Sequence, residues 1–156
     1  MARLDQLSEI ERQSALYFPC LEHDTAPWTP WRKELSQSKV ALVSSAGLHL
    51  RGDKLFESGD PSYRVIPSDA NPGDVIDSHT SIGFDRAGVY RDLNLAFPLD
   101  RLSELVDRGV IGSLAKDFYS FMGAHRDPRT IIQETAPQAA KAMLAENVDL
   151  VLLVPI

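Results

Sequence analysis

The sequence predicts an α/β fold: a Rossmann-like layered domain with a parallel or mixed sheet flanked by helices. Three observations point to it. Short apolar runs rich in β-branched residues, KVALVSS and VDLVLLVPI, read as buried strands. A long helix-forming stretch separates FYSFMG from VDLVLLVPI, and a helix joining two buried strands is a βαβ crossover. The chain has 156 residues, enough for one domain with a core of its own.

Residues 1–37 form a separate N-terminal portion, a helix followed by an irregular docking segment. LDQLSEIERQSALY places Leu4, Leu7, Ile10 and Leu16 at helical spacing. FPCLEHDTAPWTPW has prolines and aromatics but no period, which suits a segment packed on a surface or partner through Trp28 and Trp31. A short helix is expected over residues 31–36.

Residues 38–156 are the α/β core, whose first strand begins at Lys39 and runs into the loop Ser44-Ser45-Ala46-Gly47. YRVIP (63–67) is a second strand stopped by Pro67, SDANPGD is turn chemistry, and VIDSH (75–79) is a third strand. GFDRAGVYRDLNLAFP shows no clean period and is expected to be a long functional loop. From Leu99 the pattern is helical, with Asp100 as N-cap, Leu102, Leu105 and Val106 on one face, and Gly109 closing the helix. KDFYSFMG (116–123) is a further strand. Asp127 then Pro128 starts the long helix, which reaches about Asn147. Pro137 lies inside that helix, so a kink or break is expected there. Asp149 to Pro155 is the last strand, buried on both sides.

Composition narrows the function. A net charge of −6 is wrong for a nucleic-acid surface or for docking on anionic lipids. MARLDQLSEIERQ is charged throughout and lacks the apolar stretch of a signal peptide, and no apolar run is long enough to span a bilayer. Cys20 is the single cysteine, which precludes an internal disulfide framework. A cytoplasmic protein is the simplest reading.

In open α/β sheets, ligands bind beyond the carboxyl ends of the strands. Three strands here end in loops with a histidine: His49 in VALVSSAGLHLRGD, His79 in VIDSHTS and His125 in FYSFMGAHRD. Ser44, Ser45, Ser78 and Ser120 sit at the same ends. If the strands are parallel neighbours, these groups converge on one edge. Histidine titrates near neutrality and serves as general acid or base; serine hydroxyls and loop N–H groups hold small anions. Each of these residues alone also fits a capping or surface role in any α/β protein. Three histidines suggest zinc, but their long spacings include no H-x-H or H-x-x-x-H pair, so no metal site is assigned. Cys20 and His23 lie three apart, with no second C-x-x-C or C-x-x-H to complete a site. No G-x-G-x-x-G fingerprint, P-loop or G-x-S-x-G elbow occurs, and no cofactor is implied.

DSHTSIGFDRAGVYRDLNLAFPLDRLSELVDRGVIGSLAKDFYSFMG resembles the selenoprotein B family, the substrate-activating subunits of glycine, sarcosine, betaine and D-proline reductases. Four features carry the resemblance. They are DSH at 77–79 followed by a glycine and Asp85; Asp92 to Asn94 running into FPLDRL; ELVDRGVIGSLA; and FYSFMG followed by the long helix and VDLVLL. Together they cover roughly residues 40 to 155. The resemblance implies reductive cleavage of a carbon–nitrogen bond next to a carboxylate by a selenocysteine or cysteine. It places that nucleophile in a motif directly after the strand matching VDLVLLVPI, so the core is expected to be C-terminally incomplete just before the redox position.

On that reading His79 is the candidate proton donor for the departing amine, with Asp77 or Asp85 orienting it. Ser44, Ser45, His49, Asn94, Ser120, Gly123 and His125 are candidates for holding the substrate, a small carboxylate-bearing amine. The resemblance also implies other reductase subunits, or further copies of the chain, as partners. Two alternatives stay open: a non-catalytic binding or assembly subunit, and a hydrolase or metal enzyme built on the strand-end histidines.

Overall fold

Lys39–Ser44 forms β1, the strand on which the main sheet is built. Val40, Ala41 and Leu42 are all fully buried, as an unbroken apolar run requires when both faces of a strand are covered. The computed structural model of the chain describes residues 4–17, 22, 24–26, 29–81, 83–123 and 125–156. Two units are distinguished, Met1–Trp31 and Arg32–Ile156.

In the first unit, Glu9–Leu16 forms α1. Ser8 and Glu11 cap it reciprocally: the Ser8 hydroxyl accepts from the Glu11 N–H and the Glu11 carboxylate accepts from the Ser8 N–H. No residue of α1 is buried, although its leucine and isoleucine spacing is helical. Cys20, His23 and Trp28 lie outside the described residues. Trp31 is 47% exposed.

The second unit holds the remaining elements in chain order: β2 Leu48–Leu50, β3 Tyr63–Pro67, β4 Val75–Asp77, α2 Arg86–Arg91, α3 Leu99–Asp107, β5 Ser113–Leu114, β6 Asp117–Phe121, α4 Ala136–Ala145 and β7 Leu150–Val154. The main sheet is mixed. β5 and β6 run parallel to β1, β5 beside Lys39–Val40 and β6 beside Val43–Ser44. β7 runs parallel to β1 from Val40 to Ser44, and β3 lies antiparallel to β6. A strand has two edges, so β7 takes the edge of β1 that β5 and β6 do not use. The connection from β6 through α4 to β7 therefore passes over β1. The fold is α/β with helices flanking a mixed sheet, as the sequence predicts.

Five local expectations are corrected. VIDSH does not join the main sheet; β4 pairs antiparallel with β2 in a separate two-stranded sheet. The stretch read as a long loop contains α2 and a 3₁₀ turn at Leu93–Leu95. Asp85 starts α2 by accepting from the Gly88 N–H at 3.0 Å; six residues are too few to display an apolar period. The N-cap of α3 is Pro98, and Asp100 sits in its first turn. The short helix before β1 is a 3₁₀ turn at Leu35–Gln37. β7 is a strand, but not a buried one: paired only to β1, it leaves Val151 at 36% and Leu153 at 67% exposure.

Pro137 does not break its helix. The preceding turn, Ile131–Thr135, is a π-helix in which the Ala136 N–H reaches back five residues to Ile131 O. Widening the turn there accommodates a residue that has no N–H and whose ring would strike the carbonyl four residues back. Gly109 follows α3 with φ +67°, the left-handed closing position its sequence implies.

Candidate functional site

Because β1, β6 and β7 are parallel, their carboxyl ends lie at one edge of the sheet. Ser44-Ser45, Met122-Gly123 and Pro155-Ile156 meet there. The Ser45 N–H donates to Val154 O at 3.1 Å, and the Ser45 hydroxyl accepts from the Ile156 N–H at 2.9 Å. These residues, with Val43, Phe121, His125, Ile131 and Leu153, line a cavity of about 430 Å³.

The loop after β1 turns through Gly47, whose φ is +64°. Its N–H donates to Phe121 O and its carbonyl accepts from the Ser78 N–H. A Cβ at this position would lie 3.1 Å from the Cα of His79. Glycine is therefore required twice, for the backbone angle and for the close approach of the segment after β4 that carries His79.

His79 is 3% exposed, and its ring stacks on Phe84 with centroids 4.5 Å apart. Its Nδ1 accepts from the Ser81 N–H at 3.1 Å. In the neutral ring this leaves the proton on Nε2. Nε2 is buried and has no hydrogen-bond partner. It adjoins the cavity at Gly123: a Cβ there would lie 3.0 Å from Nε2, 2.9 Å from Ser45 O and 3.2 Å from Ile156 O. Burial lowers the His79 pKa below the ordinary histidine value, helped by Arg86 and opposed by Asp77. At neutral pH the ring is a neutral Nε2–H donor at the carboxyl ends of three strands. The Arg86 guanidinium donates to His79 O and fixes the loop.

The other predicted residues are distributed as follows. His125 lines the same cavity, and its Nε2 lies 2.7 Å from Met122 O, so in the neutral ring Nδ1 is left as an acceptor. His49 is fully buried on β2, opposite Ile76; its Nδ1 bonds Leu50 O at 2.9 Å and its Nε2 has no partner. The three histidines thus divide, with His79 and His125 beside Gly123 and His49 in the two-stranded sheet. The Ser44 hydroxyl donates to Ala96 O and accepts from the Ala46 N–H, and the Ser120 hydroxyl accepts from the Leu48 N–H. Both are committed to tying loops to β1 and β6. Ser78 accepts from the Phe56 N–H.

The Asn94 amide bonds Asp92 and Asp100, holding the entry to α3. The Asp85 carboxylate caps α2. Asp77 makes no hydrogen bond to His79, whose Nδ1 is an acceptor; its carboxylate faces a different cavity. Sequence reasoning missed Ser81, Phe84 and Arg86, which set the tautomer, stacking and backbone of His79. Their types carry no spacing signal. Among the described residues no three His, Cys, Asp or Glu side chains are grouped as a metal site needs, and no helix is long and apolar enough to cross a membrane.

Comparisons with known proteins identify the family. The family described as glycine/sarcosine/betaine reductase selenoprotein B matches residues 4–155. The D-proline reductase subunit gamma of Acetoanaerobium sticklandii is 42% identical over 144 residues, covering 90% of this chain and 57% of that protein. The sarcosine reductase complex component B subunit beta of Peptoclostridium acidaminophilum is 37% identical over 110 residues, covering 68% of this chain and 25% of the relative. The glycine reductase complex component B subunit gamma of the same organism is 29% identical over 130 residues, 78% of this chain and 28% of the relative. The chain spans from a quarter to somewhat over half the length of these relatives. No solved structure gives a significant match. The chain belongs to the glycine/sarcosine/betaine reductase selenoprotein B family.

Proposed function

We propose that this chain supplies the acid and the binding cavity for a selenol- or thiol-dependent reductase that cleaves a carbon–nitrogen bond of a small carboxylate-bearing amine. The observation that carries the reading is the buried, unpartnered Nε2–H of His79 beside Gly123. An orphaned donor is costly unless something accepts from it. The lone pair that develops on a departing substrate nitrogen at the strand ends is such an acceptor.

In this reading a selenolate or thiolate, delivered to the cavity from outside these 156 residues, attacks the carbon that bears nitrogen. The new carbon–selenium or carbon–sulfur bond forms as the carbon–nitrogen bond breaks. The electron pair of the broken bond leaves with nitrogen, which takes a proton from Nε2 of His79 in its doubly protonated form, taken up from solvent beforehand, so that the ring returns to neutral. A second thiol then attacks the selenium or sulfur, releasing the reduced carbon with a proton and leaving an S–Se or S–S bond. Burial suits His79 to proton donation by weakening its hold on a second proton and excluding competing water. The Ser45 hydroxyl and the His125 ring face the same cavity and contact the polar groups of the substrate. Val43, Phe121, Ile131 and Leu153 face its hydrocarbon part.

The exposed edge of β7 favours an additional role in assembly. Val151, Leu152 and Leu153 present apolar surface on a strand with one unpaired side, the place where further reductase subunits or a second copy add to the sheet.

The test is an assay of the assembled complex containing this chain on glycine, sarcosine, betaine and D-proline. Dithiol-dependent release of amine, or ring opening of proline, is expected with at least one. Failure with all four, alongside hydrolysis of an ester or amide, would replace this reading with the hydrolase alternative.

A further inference from the structure

Asp77 on β4 and Arg86 on α2 form an ion pair, with Arg86 Nε 3.4 Å from Asp77 Oδ1. The Asp77 side chain is 1% exposed and that of Arg86 41%. A hydrogen bond from the Tyr90 phenol to Asp77 is the leading cause that holds Tyr90 above its ordinary pKa. Arg86 and Tyr90 stand four apart on α2, so one helix face grips the buried carboxylate twice. A different nitrogen of the same guanidinium, Nη2, donates to His79 O. Arg86 thus bridges the side chain of Asp77 and the backbone of His79. Its guanidinium also lies 5.8 Å from the centroid of the Phe84 ring, which stacks on the His79 imidazole.

A planar guanidinium held on two acceptors cannot swing without losing one of them. Anchored on a buried carboxylate, Arg86 fixes the carbonyl of the residue that carries the imidazole. Asp77 therefore acts on His79 at one remove, and not through Nδ1, which accepts from the Ser81 N–H. The pair also places opposite charges beside the ring. Arg86 disfavours its doubly protonated form and Asp77 favours it. Among the described residues these two are the charged groups acting on His79. Phe84 covers a ring face, Gly47 packs on the His79 backbone, and Gly123 lies at Nε2, with His125 lining the same cavity. We propose that Asp77 and Arg86 are positioning residues for His79, a bridge that fixes its backbone and balances the charge at its ring. The inference deepens the reading of His79 as proton donor and rests on it for its bearing on catalysis.

The test is a proton–nitrogen titration of the His79 ring in the whole chain carrying Asp77→Asn, Arg86→Gln or Arg86→Lys. Asp77→Asn removes the favouring charge and leaves Arg86, so the His79 midpoint moves down. Arg86→Gln removes the opposing charge, so the midpoint moves up. A purely structural role gives a different pattern: loosened packing lets water reach the ring and moves both midpoints up, toward those of exposed histidines. Arg86→Lys keeps the charge but offers one nitrogen in place of a fork, so the His79 and Ser81 amide resonances shift. In the assembled reductase the pH at which kcat falls should follow the midpoints, lowest in Asp77→Asn and highest in Arg86→Gln. Midpoints that move the same way in both variants, midpoints that do not move, or unchanged His79 and Ser81 amides in Arg86→Lys would each overturn the proposal. Opposite midpoint shifts with a pH profile that ignores them would support the bridge and count against His79 as the proton donor. If a charge-removing variant does not fold, Arg86→Lys decides, because it keeps the buried carboxylate paired.

Discussion

His79 and Gly123 are fitted to each other: Nε2 of the imidazole lies 3.0 Å from the point where a side chain on residue 123 would begin. The same point is 2.9 Å from Ser45 O and 3.2 Å from Ile156 O. Two of these three neighbours are backbone carbonyls that cannot rotate away. Gly123→Ala is therefore expected to destabilise the fold by about 1–3 kcal/mol, measured by urea denaturation. The His79 ring resonances should shift in the same variant, because the imidazole must give way.

The buried, neutral state of His79 makes a prediction for pH. Its pKa is lowered in the folded chain. Above the ordinary histidine pKa the ring is neutral whether folded or unfolded, and stability does not respond to it. As pH falls below that value the unfolded chain takes up a proton that the folded chain refuses, so stability drops until the folded pKa is reached. Long-range proton–nitrogen spectra should show the Nε2–H tautomer at neutral pH and a His79 midpoint below those of exposed histidines. Denaturation midpoints should fall on acidification more steeply in the wild type than in His79→Gln.

Ser44 and Ser120 are fully buried and spend their hydroxyls on backbone groups of the loops at the site. Removing Oγ of Ser120 strands the Leu48 N–H, and removing that of Ser44 strands Ala96 O and the Ala46 N–H. Each alanine variant should cost about 1–3 kcal/mol. Differential scanning calorimetry would register both as lowered transition temperatures.

Leu153 gives the opposite expectation. It is 67% exposed on the edge strand. Leu153→Glu should change the unfolding free energy by about 0.5 kcal/mol or less, as surface substitutions do. Its effect should appear in association, and in substrate binding because Leu153 also lines the strand-end cavity: light scattering and subunit pull-down should show weaker assembly, since a charge on a strand edge opposes pairing.

Much of this fold was legible because the elements are long and apolar. Lys39–Ser44, Asp117–Phe121 and the crossover helix carry patterns that survive without tertiary information. The six-residue α2 was not legible, because its start depends on one side chain, Asp85, reaching the Gly88 N–H. Nor was the exposure of β7: apolar residues on both faces predict burial, and only the sheet order shows that one side has no neighbour among the described residues. The site divides in the same way. The proximity of His79, Ser45, Gly123 and His125 was legible because they stand at or just beyond strand ends. Asn94 and Asp85, polar side chains read as site candidates, are instead spent on helix starts. Ser81, which fixes the His79 tautomer through a backbone N–H, could not be found at all, since any residue but proline supplies that group.

His79 is proposed to give up a proton in catalysis. The direct measurement is kcat for His79→Gln in the assembled reductase, because glutamine keeps an N–H donor and gives up acid–base chemistry. A loss of about 10²–10⁴-fold is expected in a complex that still assembles and still binds substrate. A kcat close to that of the wild type would contradict it.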